Sequence, residues 1–98
     1  GLAAYTAAKS AAASLIKSVA VELAPRGIRA NIVSPHFMTT DLTVTVPDKQ
    51  RKLIAAQTPL KRLIEVDEVA TAVGFLADPH NGYMNGHDLL LDGGAVMT

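Results

Sequence analysis

Residues 3–24, AAYTAAKSAAASLIKSVAVELA, contain neither Gly nor Pro and are dense in Ala, Leu and Lys. These are strong helix formers, so the stretch predicts one long helix from Ala3 to Ala24. Pro25-Arg26-Gly27 stops it, with Gly27 suited to a left-handed turn. Leu15, Ile16, Val19 and Leu23 form a stripe of large apolar side chains expected to face a sheet. Ala8, Ala11, Ala12 and Ser14 form a second surface of small residues on which another helix can approach closely. A helix apolar over most of its circumference is normally buried on several sides. A chain of 98 residues is short of material to cover it, so self-association is expected.

Beyond Gly27 the chain alternates between strand and helix patterns. Ile28-Arg29-Ala30-Asn31-Ile32-Val33 reads as a strand, with Ile28, Ala30 and Ile32 alternating against Arg29 and Asn31 and Pro35 closing the run. His36 to Pro47 is loop-like and rich in Thr. Asp48 resembles a helix cap and opens a short helix to Gln57, which Thr58-Pro59 breaks. Glu65 to Ala77 predicts a third helix, with Val66, Val69, Ala70, Val73 and Leu76 at helical spacing. Its first turn carries Glu65, Asp67 and Glu68, the sign that suits the positive end of the helix dipole. Asp78-Pro79 ends it, and a turn-rich stretch from His80 to Gly86 leads to a last strand, Asp88 to Asp92. The run Leu89-Leu90-Leu91 fits a strand covered on both faces. Gly93-Gly94 marks a tight turn or a close backbone approach. Two strands joined by helices are most simply parallel with a right-handed crossover. The predicted class is α/β, and two strands are too few for such a sheet to stand unaided.

Composition removes several functions. Nine basic and nine acidic residues leave no net charge, unlike the basic footprint of a nucleic-acid binder. Cysteine is absent, which excludes a disulfide framework and a thiolate metal site and suits a cytoplasmic protein. No apolar run is long enough to cross a bilayer, and the opening residues lack the pattern of a secretory signal. His80 and His87 stand in turns without metal-ligand spacing, so no metal is expected.

The chemistry-bearing spacing is Tyr5-x-x-x-Lys9. Four residues apart on a helix, the two side chains share one face, about 6 Å apart along the axis. An ammonium beside a phenol favours the phenolate, which suits the phenol to proton exchange with an alcohol or ketone oxygen. Alone the pair is a weak signal, because the chain holds two Tyr and five Lys.

The order of motifs is more specific. Tyr5-x-x-x-Lys9 opens a helix, Arg26-Gly27-Ile28-Arg29-Ala30-Asn31 leads into a strand, and Ser34-Pro35 ends it. Pro59-Leu60-Lys61-Arg62-Leu63 precedes Glu68-Val69-Ala70 with Phe75-Leu76, and Asn85-Gly86 precedes Leu91-Asp92-Gly93-Gly94. Together they resemble the carboxy-terminal half of the short-chain dehydrogenase/reductase family, in particular its 3-oxoacyl-carrier-protein-reductase-like members. The resemblance spans the whole chain. It implies the carboxy-terminal part of a Rossmann-type doubly wound parallel sheet and an NAD(P)-dependent oxidoreductase transferring hydride between alcohol and ketone. Tyr5 would be the acid/base, and Lys9 would assist it and bind the nicotinamide ribose. Pro35, His36, Met38 and Thr40 would lie beside the nicotinamide, with the Met38 backbone and the Thr40 hydroxyl holding the carboxamide. His36 stands where the family usually has Gly. Gly tolerates positive φ and close approach of a ligand, whereas His is hindered in both. Asp92-Gly93-Gly94 would form a structural turn near a subunit interface.

The family's glycine-rich phosphate loop, the residue that selects NAD or NADP, and the catalytic Ser and Asn lie upstream of the matched region. We therefore expect residues 1–98 alone to be inactive and to hold no nicotinamide cofactor tightly. The expected partners are a small alcohol or ketone substrate in the complete enzyme and further copies of the chain, with neither nucleic acid nor membrane. Residues 40–57, with Thr43, Val44, Val46, Leu53 and Ile54, would form a moderately apolar substrate lid. The alternative reading is a non-catalytic, self-associating interaction module.

Overall fold

The computed structural model of the chain describes residues 2–38 and 46–95. Thr40, Thr43 and Val44 lie outside them. Helix α1 spans Leu2–Leu23 and a 3₁₀ turn Ala24–Arg26; then come β1 (Ile32–Pro35), α2 (Asp48–Gln57), α3 (Val66–Ala77) and β2 (Asp88–Leu91). The two strands pair. The Ile32 N–H donates to the His87 carbonyl (2.8 Å) and the His36 N–H to that of Leu91 (2.9 Å), an equal advance along both strands that makes them parallel. The chain divides into two compact units, Gly1–Ile32 with Leu76–Leu89 and Val33–Phe75 with Leu90–Thr98.

In the first unit α1 ends as its residues dictate. Pro25 falls in the first turn of the 3₁₀ segment, where no amide hydrogen is needed. Gly27 adopts φ 76°, and its N–H donates to the Ala24 carbonyl. Ala20 is buried, and Ile16, Val19 and Leu23 are half-buried. These four recur at i, i+3, i+4, i+7. Leu15, expected on the same stripe, is instead 62% exposed, because the buried face is centred on Ala20.

A second correction concerns the first strand, which begins at Ile32 rather than Ile28. Residues 28–31 alternate like a strand, but their polar members bond to the end of α3 and to the turn before β2. The Arg29 guanidinium donates to the carbonyls of Met84 and Leu76, both at 3.0 Å. The Asn31 amide donates to the Met84 carbonyl (3.1 Å) and accepts from the His87 N–H (2.9 Å). Asn85 does the converse, accepting from the Ala30 N–H (3.0 Å) and donating to the Ala20 carbonyl of α1 (2.9 Å).

In the second unit α2 has the expected span, but Pro47 rather than Asp48 is its cap residue, with no side-chain cap bond. Asp48 lies in the first turn, where its charge still suits the dipole. Buried Thr58 closes α2, its N–H and hydroxyl both donating to the Ile54 carbonyl. Helix α3 begins at Val66, one residue later than expected, because Glu65 serves as the cap position. Glu68 reaches back to accept the Glu65 N–H at 3.0 Å, half of a capping box. The same carboxylate receives two bonds from Arg62, at 2.6 and 2.9 Å. Met38 pairs with Ile64 in an isolated parallel bridge. Gly93 has φ 59°, and a Cβ there would lie 2.7 Å from the Thr58 methyl, so a left-handed turn and a close approach coincide at one glycine. Leu90, expected to be covered on both faces, is 42% exposed.

Candidate active site

The i, i+4 spacing on α1 brings Tyr5 and Lys9 together in the first unit. The Lys9 ammonium stands 5.6 Å from the centroid of the Tyr5 ring, within cation–π range. Both side chains are exposed, Tyr5 to 63%. The α1 residues around them, Leu2 to Ala12, are exposed as well. The pair is thus held by local helix geometry, with room beside the phenol for a reacting group.

The other expected site residues fall in the second unit. Pro35 ends β1, and His36 follows with its N–H fixed to the Leu91 carbonyl. Among the described residues Lys61 is the one non-glycine with positive φ, so His36 adopts an ordinary backbone. The strain expected of a histidine at this position is not present. The Met38 backbone is held by its bridge to Ile64. Thr40 lies outside the described residues.

His36 also lines a cavity of about 500 Å³ within the second unit. Phe37, Leu60, Ile64, Ala72 and Phe75 make it largely apolar. Its polar side chains are largely engaged by their own surroundings. Thr58 and Thr71 donate to the carbonyls of Ile54 and Asp67. Asp92 accepts from the Gly94 N–H, and Arg62 pairs with Glu68. The bidentate Arg62 contact, with the Glu65 N–H second, holds the Glu68 carboxyl down at about 2 and raises the Arg62 guanidinium further. A cavity whose charges are already paired suits an uncharged, apolar group. Several of its residues, Leu60, Arg62, Glu68, Phe75 and Gly93 among them, belong to the ordered motifs, but its walls come from 36–37, 58–75 and 91–93 and no local spacing links them into one cavity.

Near the end of α3, Asp78 is held below the usual carboxylate range by the His80 N–H and then by the His80 ring, whose Nδ1 is 3.0 Å away. No helix among the described residues is long and apolar enough to cross a membrane.

Comparison with known proteins agrees with the motif order. The family described as enoyl-(acyl carrier protein) reductase matches residues 1–96. The chain is 44% identical over 98 residues to 3-oxoacyl-(acyl-carrier-protein) reductase FabG of Escherichia coli, covering 100% of this chain and 40% of that protein. The Vibrio cholerae FabG is 43% identical over 97 residues, covering 99% and 40%. That of Pseudomonas aeruginosa is 37% identical over 94 residues, covering 96% and 38%. The chain belongs to the short-chain dehydrogenase/reductase family. It spans about two fifths of the length of the curated relatives it matches.

Proposed function

We propose that residues 1–98 supply the carboxy-terminal half of a Rossmann-type, NAD(P)-dependent oxidoreductase domain that interconverts a ketone and an alcohol. The observation that carries this reading is the Tyr5–Lys9 pair, with the Lys9 ammonium 5.6 Å from the ring of an accessible phenol. In the reductive direction Tyr5 gives its proton to the carbonyl oxygen as hydride arrives at the carbon, and in the oxidative direction it takes the proton back. Lys9 stands beside the phenol ring and would offer donors to the nicotinamide ribose. The nicotinamide cofactor supplies the hydride. The family resemblance assigns the nicotinamide carboxamide to Pro35, His36, the Met38 backbone and Thr40, which would hold it in the complete domain. The relatives are named for 3-oxoacyl groups on a carrier protein, and a 3-oxoacyl thioester is the substrate class proposed here. The reading also takes the protein to be cytoplasmic.

Pyrophosphate binding belongs to the half of the domain upstream of the matched motifs, so these residues alone hold the cofactor weakly and do not turn over. Titrating the 98-residue chain with NADH and NADPH, read by nicotinamide fluorescence, tests this directly. Saturable tight binding would sink the claim that the upstream half supplies the grip.

The exposure of α1 favours a second reading alongside the first, association of the chain with itself. Leu15 and Val21 are 62% and 72% exposed, and Ala8, Ala11, Ala12 and Ser14 are open. This surface serves a non-catalytic module as well as an enzyme subunit, and turnover of the complete domain, followed as nicotinamide oxidation, separates the two.

A further inference from the structure

The Asn85-Gly86 motif takes no part in the proposed reaction, yet it carries a chemistry of its own. In an Asn-Gly pair the glycine amide nitrogen can attack the Cγ carbon of the asparagine side chain, because the glycine has no Cβ to hinder the approach. The new C–N bond closes a succinimide ring, and the side-chain amide nitrogen leaves as ammonia. Water then opens the ring to aspartate or isoaspartate, with nothing oxidised or reduced. The sequence holds two such pairs, Asn81-Gly82 and Asn85-Gly86.

The fold ties down each group of the second pair that the attack requires. The Asn85 amide nitrogen donates to the Ala20 carbonyl (2.9 Å), and its oxygen accepts from the Ala30 N–H (3.0 Å). The Gly86 N–H donates to the Ala30 carbonyl (2.8 Å). The attacking nitrogen thus has its hydrogen committed, and the carbon it must reach belongs to an amide pinned at both ends. All four residues belong to the first unit, and the partners of Asn85 lie 55 and 65 residues away. These bonds release only when the end of α1, the segment entering β1 and the turn before β2 separate. Asn81 is held by its own turn instead. Its N–H donates to the Asp78 carbonyl (2.9 Å) and its amide nitrogen to the Met84 sulfur (3.3 Å), a weak acceptor.

We propose that Asn85 is a modification site gated by the fold: it deamidates when its bonds to Ala20 and Ala30 open and is unreactive while they stand. The product locks the opening. A carboxylate at position 85 has no hydrogen to donate and sets its charge against the Ala20 carbonyl oxygen. This inference is independent of the oxidoreductase reading.

The test incubates the 98-residue chain in mildly alkaline buffer, with and without unfolding concentrations of urea. Aspartate and isoaspartate at each pair are followed by peptide mass mapping. Asn85 should react at least about tenfold more slowly in buffer than in urea, because reaction waits on a local opening. The slowing at Asn81 should be at least about threefold weaker, because its turn opens without parting the three segments. Equal rates at Asn85 in the two conditions would overturn the inference. So would a slowing at Asn81 as large as that at Asn85, which would mark folding at large rather than the bonds to Ala20 and Ala30. The locking is read from Asn85→Asp, which should unfold at a lower urea concentration than the parent or fail to fold. An unchanged unfolding midpoint in that variant would overturn the lock.

Discussion

Two residues in the second unit sit where their side chains decide stability. Lys61 has φ 60°, a left-handed conformation that costs an ordinary residue about 1 kcal/mol. Its ammonium offsets part of this by donating to the Ala56 carbonyl (2.7 Å) in the last turn of α2. Lys61→Ala keeps the strained backbone and loses the bond, whereas Lys61→Gly loses the bond and the strain together. We expect the Gly variant to exceed the Ala variant by about 1 kcal/mol in urea unfolding, and equal stabilities would contradict the strain. Gly93 is the converse case. A Cβ there would meet the Thr58 methyl at 2.7 Å, and Thr58 is 4% exposed with its hydroxyl bonded. Gly93→Ala should cost about 2–4 kcal/mol from overpacking and the left-handed backbone. Thr58→Ser removes the clashing methyl and should return part of that loss; a strictly additive double mutant would argue against the contact.

At the scale of elements, the start of α3 is the acid-sensitive feature. Glu68 accepts from Arg62 and from the Glu65 N–H, and its carboxyl lies at about 2 instead of the ordinary 4.5. A depressed carboxyl contributes stability that is present above its unfolded value and is lost as pH falls through the folded one. Amide protection at Glu65 should therefore decline between about 4.5 and 2, and Glu68→Gln should flatten that dependence. A decline centred near neutrality would contradict it.

The same elements show what a linear sequence can carry. The helix spans follow from local periodicity and from stops such as Pro25-Arg26-Gly27 and Asp78-Pro79, and Tyr5 meets Lys9 because i, i+4 is a local relation. The start of β1 is not legible in this way, because Arg29 and Asn31 look like the solvent face of a strand. Their partners, Leu76, Met84 and His87, lie 47 to 56 residues away, beyond any periodicity. Leu15 departs from its expected stripe for a related reason. On a helix apolar nearly all round, pattern does not say which stripe is covered, and the approach of Gly86 to Ala20 decides it.

For the whole molecule, the exposed surface of α1 predicts association. Sedimentation of the 98-residue chain should show species larger than the monomer, and Leu15→Lys with Val21→Lys should return it to monomer without unfolding. A parent that is monomeric with cooperative unfolding would contradict this. The cavity of the second unit escapes the sequence for the same reason as the start of β1, since its walls are drawn from three separate stretches. The central claim concerns Tyr5, and its most direct test is kcat of the complete domain with a 3-oxoacyl thioester and saturating nicotinamide cofactor. Tyr5→Phe should lower kcat by about 10²–10⁴-fold, the usual contribution of a positioned acid/base, with cofactor binding retained. A Tyr5→Phe variant that turns over as the parent does would contradict the account.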